Sequence, residues 1–197
     1  LAACLADMQG QLIQGGMIWG SVAPGSTVTL DGRQLDVLPD GTTFAGFGRD
    51  ADASAELVVS GERSCEESLS IASREYKIQR VKGVPQQTVT PSAEHLDRIR
   101  REQSLVGEAK GQRLSRPDLL EDALDGFVWP AQGPISGVYG SQRFYNGEPR
   151  NPHYGVDIAV PTGTPVFAPA AGVVTLAEPD LFFSGGTIIL DHGFGLS

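Results

Sequence analysis

The chain of 197 residues carries 24 acidic against 15 basic side chains, a formal charge of −9, with 40% hydrophobic and 20% charged residues. That balance belongs to globular proteins and not to disordered ones, and the length suffices for one large domain or two small ones. No Lys/Arg-rich face appears anywhere, which argues against nucleic acid as a partner, and no apolar run reaches the 18 residues that a membrane span needs.

The opening residues "LAAC" resemble the lipobox of bacterial lipoproteins, in which small residues precede a cysteine that becomes lipidated. Cys4 therefore has three readings: a lipidated residue giving a membrane anchor, one half of a Cys4–Cys65 disulfide, or a plain thiol. Residues 1–9 are set aside as a lipobox or signal remnant. The chain opens at Leu1 without a methionine, which suggests a processed protein or a fragment.

Residues 10–78 read as short strands between turn signals. "TVTLDGRQLDVLPDGTTFAGF" places two Asp-Gly pairs among alternating apolar positions, Val28, Leu30, Leu35 and Val37, a strong hairpin signal. "AELVVSGERSCEESLSIA" repeats the form, with Ser60-Gly61 as the turn between Leu57–Val59 and Leu69–Ile71. A small immunoglobulin-like β-sandwich is the expectation. With no histidine and with its acids scattered at turns, this module reads as a spacer or docking element.

Composition shifts over 79–126, the expected helical linker. Thr90-Pro91 offers a cap and a first-turn proline, and Leu96, Ile99, Leu105 and Val106 form a thin apolar stripe among charges, predicting a mostly solvated helix of about four turns. Asp97, Arg101 and their neighbours are placed for weak ion pairs, and His95 reads as a surface histidine. A second short helix is expected near Pro117–Leu124, with a boundary near Gly126.

From residue 127 the pattern becomes chemical. "HYGVDIAV" opposes a helix through Gly155 and its β-branched residues. As an extended strand it puts His153, Gly155 and Asp157 on one face and Tyr154, Val156 and Ile158 on the other, where they can enter a core. An imidazole and a carboxylate around a glycine leave room for a metal ion, and both are ordinary Zn²⁺ ligands, of which a catalytic zinc needs three. An isolated H-x-x-x-D would more simply be a surface hydrogen-bonded pair.

The surroundings favour the metal. "FVWPAQGPISGVYGSQR", "HYGVDIAVPTGTPVFAPAAGVVTLA" and "SGGTIILDHGFG" resemble, in order and spacing, the catalytic domain of the lysostaphin-like, or LytM-type, zinc metallopeptidases, which hydrolyse peptide cross-links of bacterial peptidoglycan. The resemblance spans residues 127–197 and implies a partial antiparallel β-sheet metallopeptidase domain, so the chain as a whole is expected to be mainly β. It implies that His153 and Asp157 are zinc ligands and that peptidoglycan peptide is the substrate. It also implies a location in the bacterial cell envelope, periplasmic or otherwise extracytoplasmic. Gly163 and Gly172 fall in the family's tight turn and next strand, where glycine permits unusual backbone angles. Arg143 precedes the site in a loop, either facing the cleft to contact substrate or lying in solvent.

One departure matters. The family places its third ligand in a downstream H-x-H motif and a further catalytic histidine in a later strand, and neither motif follows Asp157 here. Counting residues alone would nominate His192 as third ligand; the resemblance aligns it with a strand-end histidine that is not one. The break within the third motif predicts a truncated reading of a longer protein. With two ligands, the chain by itself is expected to bind zinc poorly and to be inactive. The alternative is a degenerate relative that binds peptidoglycan or regulates another cell wall hydrolase.

Overall fold

The computed structural model describes residues 3–83 and 93–197, so the expected Thr90-Pro91 helix start and the first two lipobox residues lie outside the described residues. The chain divides into two compact units, Leu1–Lys77 and Ile78–Ser197. Strands predominate in both.

The first unit holds seven strands: β1 (Ala6–Gly10), β2 (Met17–Ser21), β3 (Thr27–Leu30), β4 (Arg33–Leu35), β5 (Thr42–Gly46), β6 (Ser54–Ser60) and β7 (Cys65–Ser70). They form two antiparallel sheets, ordered β1-β2-β5 and β4-β3-β6-β7. An immunoglobulin constant-type sandwich seats its fourth strand beside the fifth; here it pairs with the third, in the opposite sheet. The reason is local. Asp31 and Gly32 take φ of +49° and +75°, the left-handed pair of a two-residue hairpin, and the Asp31 carboxylate accepts the Glu56 amide at 2.7 Å. This turn leads the chain straight from β3 back into β4.

Alternation along β2, β5 and β6 buries one side chain in two, whereas β1 is exposed along its length. Ile18, Ala45, Val28, Leu57, Val59 and Leu69 interlock as one core drawn from both sheets, with Val28 and Leu57 0% and 1% exposed. Each such burial contributes about 1.5–3 kcal/mol. A Cys4–Cys65 disulfide, Cα atoms 5.6 Å apart, ties the residues ahead of β1 to the start of β7. Of the three readings of Cys4, the disulfide is the one present in this structure. The Cys4 amide donates to Glu67 Oε2 at 2.8 Å.

The second unit opens with β8 (Ile78–Val81), followed by helices α1 (Ala93–Gly111) and α2 (Pro117–Asp125). Then come β9 (Ile135–Gly137), β10 (Gln142–Tyr145), β11 (Glu148–Pro149), β12 (Asp157–Ile158), β13 (Val173–Leu181) and β14 (Gly185–Asp191). The segment read as a helical linker lies within this unit. On α1, Ile99, Glu102, Val106 and Ala109 share a face; Val106 and Ala109 pack on Leu176, Leu181 and Ile189 of the β13–β14 hairpin, while Leu96 and Leu105 of the expected stripe stay exposed. Of the ion pairs expected along the helix, Asp97 makes one with Arg100. Pro117 begins α2, which buries Leu119, Leu120 and Ala123.

Pairing is antiparallel for β9–β12, β10–β11 and β13–β14, but β8 runs parallel to β10. The parallel pair brings residues 78–81 against 142–145, which is possible because the helices between them supply the crossover.

Candidate metal centre

His153 and Asp157 do come together: Nε2 lies 3.1 Å from Asp157 Oδ1. The route differs from the expected single strand. Only Asp157 and Ile158 are extended, as β12 against β9, with an irregular register at that step and a bend at Gly155. Regular alternation therefore fails, and Tyr154 and Val156, expected in a core, are 66% and 47% exposed.

His153 is fixed by the segment just before β10. Its backbone N–H donates to Ser141 O at 2.8 Å, its carbonyl accepts Gly140 N–H at 2.7 Å, and ring Nδ1 lies 3.3 Å from Val138 O. A carbonyl can only accept, so Nδ1 is the donor in that contact and Nε2 is the nitrogen turned toward Asp157. Nε2 and the carboxylate oxygen at 3.1 Å can be bridged in two ways, by a hydrogen on Nε2 or by a metal ion that both ligate. The separation is within a few tenths of an ångström of the edge of a tetrahedron with bonds of about 2.1 Å, close to 3.4 Å.

Asp157 owes its position to a residue that sequence reasoning passed over. Opposite it in the β9–β12 ladder is Gly137, where an added Cβ would collide with the Asp157 carboxylate. Gly155, the glycine between the two ligands, is less constrained: a Cβ there would sit 3.7 Å from His153 Nε2, an ordinary contact. The signal for Gly137 was the Ser136-Gly137 step in "SGVYG", whose meaning depends on which strand it faces.

The other nominated residues fall elsewhere. His192 is 4% exposed; its Nδ1 lies 2.6 Å from Ala171 O and its ring meets Phe127 edge-on at 5.5 Å, so both nitrogen and ring serve packing at the end of β14. Gly172 is needed for space and not for backbone angle, because a Cβ there would press on Asp191 O and His192 Nδ1 at 3.1 Å each, whereas Gly163 does take a left-handed φ of +91°. Arg143 lies on β10 and not in a loop; it is exposed, and its Nε donates to Gln79 Oε1 at 3.2 Å. His95 is exposed on α1 against the Phe182 ring at 4.9 Å. Among the described residues no group of three His, Cys, Asp or Glu side chains could hold a metal ion, so His153 and Asp157 stand as a pair.

No curated protein matches this chain. The C-terminal portion is similar to the LytM-type peptidases that its motifs resemble: residues 151–197, which hold His153, Asp157 and His192, match the model of Peptidase family M23.

Proposed function

We propose that this chain carries part of a zinc metalloendopeptidase that hydrolyses peptide bonds of bacterial peptidoglycan. The observation that carries the reading is the facing of His153 Nε2 and Asp157 Oδ1 at 3.1 Å within the stretch matched by the family. Zinc bound there would acidify a water and polarise a scissile carbonyl. The chain's own residues prepare that site: Val138 O fixes the His153 tautomer, Ser141 O and Gly140 N–H lock its backbone, and Gly137 leaves space for the Asp157 carboxylate. A catalytic zinc needs a third protein ligand, so the 197-residue chain is expected to bind zinc weakly and to release no peptide by itself.

The Cys4–Cys65 disulfide supports an extracytoplasmic location in the cell envelope, since such bonds persist in oxidising compartments. A lipid anchor at Cys4 forms no part of the proposal. Zinc content tests the reading: the chain should take up the metal with weak affinity, and His153→Ala should abolish uptake. Equal zinc content in both proteins would overturn it.

A second reading is favoured by one observation, the lack of a third ligand among the described residues. In it the domain is catalytically degenerate and binds peptidoglycan or regulates another hydrolase. Binding to purified sacculi that survives His153→Ala, with no zinc taken up, would select it.

A further inference from the structure

From residue 127 to residue 197 the sequence holds five carboxylates and two cationic side chains other than histidine, Arg143 and Arg150. The fold sets those two arginines side by side. Arg143 lies on β10, the chain turns through Asn146 and Gly147 into β11, and the Arg150 amide donates back to Arg143 O at 2.8 Å. Continuing the β10–β11 register, in which Phe144 opposes Pro149 and Tyr145 opposes Glu148, makes Arg143 and Arg150 directly opposed on one face. Like charges so placed repel. Among the described residues no carboxylate pairs with either guanidinium, although Glu148 is on the same strand pair.

Two further details suit an anion. Arg150 Nε is buried and has no hydrogen-bond partner among the described residues, a donor that a buried environment normally does not leave unused. The Arg150 guanidinium is held 5.5 Å from the Tyr145 ring centroid, and Arg143 Nε is anchored by Gln79 Oε1, so both forks are oriented before any ligand arrives. Arg150 is three residues before His153, at most about 10 Å of chain.

We infer that Arg143 and Arg150 form a carboxylate-binding site that holds an acidic peptide beside the His153–Asp157 pair. The inference rests on the peptidase reading for its choice of a peptide, and the chemistry recognised is the carboxylate, from a chain terminus or from a side chain. Paired guanidinium forks bind such a group through charge-assisted hydrogen bonds and remove their own repulsion by doing so.

The test is calorimetric titration of the zinc-free 197-residue protein with three probes. They are N-acetyl-trialanine with a free carboxylate, its C-terminal amide, and an amidated peptide whose single carboxylate is a glutamate side chain. At least one carboxylate probe should bind tenfold or more tightly than the plain amide, and Arg143→Gln should remove that preference. Arg150→Gln should do the same; because Arg150 packs on Tyr145, the exposed Arg143 variant guards against a folding artefact. The amide binding as tightly as both acids, or Arg143→Gln leaving the preference intact, would overturn the inference. Carboxylate preference without zinc uptake would leave this site standing while the peptidase reading falls; zinc uptake without carboxylate preference would do the reverse.

Discussion

The two units use their apolar residues in opposite ways. In Leu1–Lys77 the strands β2, β5 and β6 alternate cleanly and eleven buried residues form a continuous core. In Ile78–Ser197 the principal buried cluster is Ala109, Leu176, Leu181 and Ile189, while Val128, Trp129, Val166 and Phe167 are more than half exposed. The proposed metal pair sits in the second unit, Asp157 on a two-residue strand and His153 in the irregular segment just before the bend at Gly155. The contrast illustrates a general division: regular alternation yields packing, and its interruption places polar side chains where they can act.

The comparison breaks most visibly if the sandwich loses its core or its crosslink. Leu57→Ala should destabilise the first unit by about 2–5 kcal/mol, because the removed atoms leave a cavity between two sheets. Cys65→Ser opens a loop of sequence separation 61 and should cost about 2–5 kcal/mol. Chemical denaturation followed by intrinsic fluorescence reads both; a shift below 1 kcal/mol for either would mean that the core or crosslink described is not what holds this unit.

The converse perturbation leaves the sandwich alone and strikes the site. Gly137→Ala adds one methyl against the Asp157 carboxylate and should weaken zinc binding by about 10–100-fold, the range for residues that orient ligands. Gly155→Ala, whose methyl meets only an ordinary contact, should weaken it far less. Metal titration of the two variants side by side decides whether Gly137 or Gly155 makes the room. Equal effects would remove Gly137 from its role.

What was legible in the sequence followed local rules. The Asp31-Gly32 hairpin, the Ser60-Gly61 turn and the closeness of the His153 and Asp157 side chains each depend on a few neighbouring residues. What was not legible depends on partners distant in sequence. The fourth strand's choice of sheet, Gly137 opposite Asp157, and β8 beside β10 are facts of pairing that no window of residues contains. The burial expected of Tyr154 and Val156 failed because period-two alternation presumes an unbroken strand, and Gly155 bends it. The packing of α1 was hidden by its composition. Its inward positions, buried Ile99 and Ala109 and half-buried Val106, are separated by charged residues, and one of these, Glu102, lies on the packed face itself.

That residue gives the smallest effect and the sharpest test of whether α1 is a linker or a structural element. Glu102 accepts Arg98 Nε at 2.6 Å and the backbone N–H of Phe182, just past β13, at 2.7 Å. The Arg98 hydrogen bond first, then the Phe182 amide, holds its carboxyl below the usual carboxylate value. A depressed folded-state value means stability that is present above the unfolded value and is lost as pH falls through the folded one. Acid should therefore loosen α1 from the hairpin below the ordinary carboxylate range, and Glu102→Gln, which keeps the shape without the charge, should flatten that part of the pH profile. Amide exchange at Phe182 reads the contact directly. If the Phe182 amide is no better protected at neutral pH than in acid, each relative to its intrinsic exchange rate at that pH, Glu102 does not dock the helix, and the packing of Val106 and Ala109 holds α1 by itself.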